Sequence, residues 1–210
     1  MNPETRPSGA RPVRSRLYLL LIMAMFAAPV VLAWLVFYVF PDWRPTATVN
    51  NGTLVRPVRL LPDFQARNVD GKPIDQTVFQ GKWSLVTLEQ GACGEACVRR
   101  LYDVRQIRLA QGKNIDRLQR VMLWVPADAD AAAGAELERQ FPGETILTLD
   151  AGAAAGLIAA FAVETSDPLA AGRLYLVDPL GNLMMLYPAD ADPRGAIKDL
   201  ERLLMYSGLG

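Results

Sequence analysis

Twenty-four consecutive residues, Leu17 to Phe40, carry no charge and no strongly polar group. As a helix the run would be about 36 Å long, against a bilayer hydrocarbon core of about 30 Å, so it can span with some tilt. Pro29 lies inside it, which lipid-embedded helices tolerate better than soluble ones. Trp34, Tyr38 and Trp43 gather towards its C-terminal end, where an interfacial aromatic belt is expected. A chain carrying such a run must place it apart from any water-soluble core.

The flanks predict its direction. Residues 1–16 hold Arg6, Arg11, Arg14 and Arg16 against a single Glu4, and the far side opens with Asp42 and Arg44. The positive-inside bias predicts a cytoplasmic N-terminal arm (1–16), a single-pass transmembrane helix (17–40) and ~170 residues on the other side. In a bacterium that side of the inner membrane is the periplasm, where a disulfide persists. A cleaved signal peptide would need an apolar region of only ~7–15 residues and a small-x-small cleavage site. Val36 to Pro41 offers no such site, so the run reads as an uncleaved anchor. Formal net charge is zero, which leaves no electrostatic case for a nucleic-acid partner.

Residues 41–61 read as a linker, because Pro41, Pro45, Pro57 and the turn signal Asn50-Asn51-Gly52 interrupt regular structure. Residues 62–210 read as one domain. Phe64–Val69 is a weak strand, followed by the turn signal Asp70-Gly71-Lys72. Residues 83–89 form an apolar, β-branched strand suited to the centre of a sheet. A helix is predicted from near Val98, with a stripe of Val98, Leu101, Val104 and Leu109 and a stop at Gln111-Gly112. A strand over 120–126 follows, then a helix over 128–141 capped by Asp128 or Asp130. Thr145–Leu149 is a short strand and Ala153–Val163 an apolar helix. Two late strands, 174–177 and 183–187, flank a turn at Asp178-Pro179, and a last helix begins at Asp192-Pro193 with a stripe of Ile197, Leu200, Leu203 and Leu204. Strands alternating with helices predict an α/β domain: a central mixed sheet flanked by helices, preceded by the transmembrane helix.

Chemistry concentrates at Cys93-Gly94-Glu95-Ala96-Cys97, where the central strand gives way to a helix. These are the only two cysteines, and the chain has no histidine. Residues i and i+4 on a helix share a face, with Cα atoms roughly 6 Å apart, inside disulfide range. A helix N-terminus with Arg99 and Arg100 nearby favours the thiolate, and Glu95 opposes it. Cys93 is expected to be the exposed attacking thiol and Cys97 the resolving one.

The layout resembles a thioredoxin-like fold, and specifically the Sco/SenC family of membrane-anchored proteins that assist copper-site assembly in cytochrome oxidase. The carrying residues are Phe64 with Asp70-Gly71-Lys72, Gln80-Gly81-Lys82-Trp83, the C-x-x-x-C of Cys93 and Cys97, Leu157–Val163, and Tyr175-Leu176-Val177-Asp178-Pro179 with Gly181. The resemblance covers residues 62–204 and implies a protein thiol or a cytochrome oxidase subunit as partner. The family has proline after each cysteine, where this chain has Gly94 and Val98. Its third copper ligand is a histidine before the late strand, where this chain reads Glu164 to Gly172. Thioredoxins place a cis-proline there, and Gly172 is the nearest match by spacing.

Three readings of the cysteine pair follow. Cys93 and Cys97 act as a catalytic dithiol, or hold Cu(I) as soft thiolate ligands, or form a structural disulfide in a non-catalytic scaffold. Met184 and Met185 are candidate thioethers but read better as core. Gln90 stands where a peroxiredoxin has threonine. The arginines after Cys97 read as a solvated face, Asp178 as a turn residue, and Trp83 and Trp124 as packing.

Overall fold

The computed structural model describes residues 13–39, 50–127, 131–150, 152–163 and 166–208. The chain divides into two units, residues 1–48 and 49–210. In the first, α1 (Val13–Tyr38) is one continuous helix with Pro29 inside it. Its stretch Arg16–Tyr38 is long and apolar enough to cross a membrane. Trp43, the outermost residue of the expected aromatic belt, and the arginines Arg6 and Arg11 lie outside the described residues.

The second unit is built on one eight-stranded mixed sheet in the order β1-β8-β7-β4-β5-β6-β2-β3. The strands are β1 (Thr53–Leu60), β2 (Gln65–Arg67), β3 (Pro73–Asp75), β4 (Trp83–Gln90), β5 (Leu118–Val125), β6 (Glu144–Thr148), β7 (Leu174–Val177) and β8 (Asn182–Tyr187). β4, β5 and β6 run parallel, and the remaining pairings are antiparallel. The helices are α2 (Glu95–Leu109), α3 (Ala131–Gln140), α4 (Ala155–Phe161) and α5 (Pro193–Tyr206). Every residue of β4 except Gln90 is buried, which explains its unalternating apolar sequence. Val86 and Leu88 face α4 through Leu157 and Phe161. Leu85 faces the other way, onto Val104 and Ile107 of α2 and Ala196, Leu200 and Leu204 of α5.

Three expectations are corrected. Residues 53–60, read as linker, form the edge strand β1 against β8, with an irregularity in register between Leu54 and Arg59. Proline lacks an amide donor, so it is tolerated at an edge or bulge, and Pro57 occupies such a place. Helix α2 starts at Glu95, capped by Gly94, three residues before the expected start. Its buried stripe is therefore Cys97, Leu101, Val104 and Ile107, whereas Leu109 is exposed. The helix ends at Leu109, and Gly112 opens a short 3-10 turn. The cap candidates Asp128 and Asp130 lie outside the described residues.

The same sheet face carries a buried ion pair between Arg120 Nη1 and Glu144 Oε2 at 3.4 Å. Arg120 Nη2 also donates to the Pro142 carbonyl at 2.6 Å. Burial pushes the Glu144 carboxyl up to about 7, against the pull of Arg120. Between pH 4.5 and about 7 the folded state thus keeps on Glu144 a proton that the unfolded chain has released, and the pair with Arg120 is fully charged only above that range. This group's stabilising contribution is complete below pH 4.5 and is lost as pH rises through about 7, a change of about 3 kcal/mol. Urea midpoints for the wild type are expected to be higher at pH 5 than at pH 8, and Glu144→Gln is expected to flatten that difference. Equal slopes in the two proteins would reject the assignment to Glu144.

Candidate functional site: the cysteine pair at the head of α2

Cys93 and Cys97 form a disulfide, with Cα atoms 5.2 Å apart. The two residues are not both helical. Cys93 lies in the turn before the N-cap Gly94, and Cys97 lies in the first turn of α2. That turn brings the Cα atoms closer than the helical spacing predicts. Helix phase makes Cys97 the first member of the buried stripe, packed with Leu101, Met122 and Trp124 and only 4 % exposed. Cys93, off the helix, stays partly exposed at the edge of that cluster.

The surroundings hold features not read from the sequence. Glu89 is buried near the end of β4 and bound bidentately by Arg100, through Nε to Oε1 at 2.7 Å and Nη2 to Oε2 at 2.8 Å. Arg100 is thus a half-buried partner of Glu89 and not part of a solvated face. Burial pushes the Glu89 carboxyl up, and Arg100 pulls it back. The pair ties α2, one turn beyond Cys97, to the strand that delivers Cys93. Arg100 Nη1 also lies 3.5 Å from the Gly172 carbonyl oxygen. Gly172 has φ +58°, and a Cβ there would sit 2.6 Å from Arg100 Nη1. Glycine at this position is therefore favoured by its left-handed backbone conformation, and a side chain there would also have to displace the Arg100 guanidinium. Glu89 did leave a signal, since a charged residue in an otherwise buried strand demands a partner.

Trp124 is buried as expected, and its indole N–H donates to the Gly91 carbonyl at 2.7 Å. It also lines a cavity of about 410 Å³ that reaches Cys93. Trp83 is buried in the core on the α5 side. Asp178 is a turn residue, accepting from the amides of Leu180 and Asn182. Met185 is core and Met184 packs against it, both in the cluster beneath α5 and apart from the cluster holding the cysteines. The structure therefore does not bring the methionines to the pair. Among the described residues there is no group of three or more His, Cys, Asp or Glu side chains able to hold a metal ion. The donor set on offer is two sulfurs. It suits low-coordinate Cu(I) once the disulfide is reduced and lacks the nitrogen that a three-ligand site needs.

A mixed sheet whose central parallel strand runs into a cysteine-bearing helix defines the thioredoxin-like class. Residues 83–207 match the family described as transmembrane-like, thioredoxin-like, C-terminal domain, and the chain belongs to that family. No curated protein matches the sequence. Among solved structures, copper-bound ScoI of Bradyrhizobium japonicum is similar at TM-score 0.56 and 21% identity, over 69% of this chain and 99% of that one. Copper-bound ScoI of Arabidopsis thaliana is similar at TM-score 0.61 and 18% identity, over 71% of this chain and 100% of that one. BsSco, a member of the Sco family of cytochrome c oxidase assembly proteins with an identified disulfide switch, is similar at TM-score 0.56 and 15% identity, over 70% and 95%. At these identities the likeness establishes the fold, and the expected resemblance to Sco/SenC proteins holds at that level.

Proposed function

We propose that this chain is a single-pass protein of the bacterial inner membrane, with its N-terminus cytoplasmic and its thioredoxin-like domain periplasmic. There it exchanges disulfides with a partner that contributes to cytochrome oxidase copper-site assembly. The observation that carries the exchange reading is the asymmetric pair, with Cys93 partly exposed ahead of the helix and Cys97 buried within it. An accessible sulfur backed by a sheltered one is what attack followed by resolution requires. The arginine bias of residues 1–16 supports the orientation. The assembly role rests on the fold shared with Sco proteins.

A second reading uses the same two atoms. Copper-bound neighbours share the fold, and the reduced Cys93 and Cys97 thiolates would hold Cu(I) as a two-sulfur site.

One experiment tests both: a redox titration of the detergent-solubilised full chain, with and without Cu(I). A single two-electron couple that equilibrates with a dithiol buffer is expected. Resistance of the native chain to dithiothreitol would remove the exchange reading. Cu(I) binds only the reduced pair and is expected to shift the couple to a more positive potential by mass action. An unshifted couple would remove the copper reading.

A further inference from the structure

We propose that the cavity beside Cys93 is a side-chain pocket that receives a bulky apolar residue adjacent to the reacting cysteine of a partner polypeptide. This rests on the exchange reading above and specifies its substrate class.

The cavity, about 410 Å³, is walled by Cys93 and Val98 at the head of α2, Trp124 and Pro126 at the end of β5, and Ala133 and Leu137 of α3. Its size falls in the range of specific binding pockets. The one polar side-chain atom of Trp124 already donates to the Gly91 carbonyl, so the ring presents apolar surface. Glu136 and Gln140 of α3 and the small residues Gly91, Ala92 and Ala127 complete the lining, and Glu136 is paired with Arg139. Against the walls made by Cys93, Val98, Trp124, Pro126, Ala133 and Leu137 a polar side chain would lose water with little to bond to, the polar side chains of the lining being confined to Glu136 and Gln140 on α3 and the engaged N–H of Trp124. An aliphatic or aromatic one would gain roughly 10- to 100-fold from burial.

Because Cys93 is itself a wall, the occupant is tied to the chemistry. A partner sulfur in contact with Cys93 Sγ places the neighbouring residue of its own chain about 3.8 Å away, Cα to Cα, at the mouth of the cavity. The step balances with the disulfide that the structure contains. A partner thiolate attacks Cys93 Sγ, the Cys93–Cys97 bond breaks, and Cys97 leaves as thiolate. The partner's second thiolate then attacks its own sulfur in the mixed disulfide, and Cys93 leaves. The partner is oxidised by two electrons, the domain is reduced, and the two protons pass from partner to domain.

The test follows single-turnover reduction of the oxidised full chain in detergent by dithiothreitol and by two dithiol peptides. The peptides differ only in having Leu or Ser beside the attacking cysteine. The Leu peptide is expected to react about 10-fold faster or more than the Ser peptide, and Ala133→Phe, which crowds the cavity, is expected to erase that advantage when each peptide rate is taken relative to the dithiothreitol rate of the same protein. Equal rates for the two peptides on the wild type would overturn the pocket, and that comparison stands even if the variant misfolds. An undiminished Leu advantage in a folded Ala133→Phe would overturn it too. If dithiothreitol reduces the chain but the peptides do not differ, the pocket fails alone. If dithiothreitol does not reduce the native chain, the exchange reading fails and the pocket falls with it.

Discussion

Asp199→Ala is expected to lower the stability of the domain by about 4 kcal/mol, read as a shift in urea midpoint with unchanged slope. Asp199 sits on the buried face of α5, 4 % exposed. Its Oδ2 accepts from the backbone amides of Asn51 at 2.8 Å and Gly52 at 2.9 Å, and its Oδ1 accepts from Asn51 Nδ2 at 3.0 Å. The Tyr187 hydroxyl donates to Oδ2 at 3.3 Å. Burial and the Asp199 charge hold the Tyr187 phenol above its ordinary range. Alanine would strand two buried donors, the Gly52 amide and the Tyr187 hydroxyl, without an acceptor, at about 1–3 kcal/mol each, while the exposed Asn51 can turn to water. Asp199→Asn keeps one acceptor oxygen but turns a donor towards donors, so about half the loss is expected. The carboxylate clamps the approach to β1, where Gly52 leaves no room for a side chain: a Cβ would lie 2.6 Å from Met185 Sδ. A loss below about 1 kcal/mol in Asp199→Ala would show that β1 is held by its pairing with β8 alone.

That clamp marks where sequence reasoning stopped. The central strands were legible because burial on both faces leaves a run such as Ser84-Leu85-Val86-Thr87-Leu88 with no polar face. The last helix was legible from Asp192-Pro193 and its stripe, although Asp199 on that stripe was the overlooked sign of a buried partner. β1 was not legible, because Pro57 and the turn residues at its head are the residues that also make linkers. Its strand identity comes from β8, more than 120 residues away, and no local pattern carries a pairing of that separation. The cysteine site was legible in composition but not in phase. The order of exposure, Cys93 over Cys97, is as the sequence suggested, but moving the start of α2 from Val98 to Glu95 places Cys97 within the helix at the head of its buried stripe and changes which neighbours line the approach to Cys93. The Glu89–Arg100 clamp and the Trp124 wall depend on the register between β4 and β5, where Glu89 faces Trp124. Register is a tertiary fact that single-strand patterns leave open.

Cys97→Ser is expected to accumulate a mixed disulfide when its Cys93 thiolate attacks the disulfide of an oxidised partner, whereas Cys93→Ser is expected to reduce exchange to the background rate. The asymmetry follows from position. A partner sulfur can reach Cys93 at the mouth of the cavity, while Cys97 is enclosed by Leu101, Met122 and Trp124. In this reducing direction, the reverse of the oxidation of a partner dithiol, Cys97 is the thiolate that releases the partner, so without it the adduct persists and runs as a discrete species on a non-reducing gel. A structural disulfide predicts something else: both variants would lose stability alike, and neither would trap a partner. That alternative is also weak energetically. The bridge joins residues only 4 apart, so the loop-closure entropy it removes from the unfolded chain is worth about 2 kcal/mol. A fully buried central strand and two-sided core do not depend on so small a constraint. If the two serine variants prove equally stable relative to each other, equally unreactive and free of trapped adducts, the pair is structural and the exchange reading is rejected. If only Cys97→Ser traps, the reactive sulfur is Cys93, and the partner recovered with it is the protein whose flanking residue the cavity must accommodate.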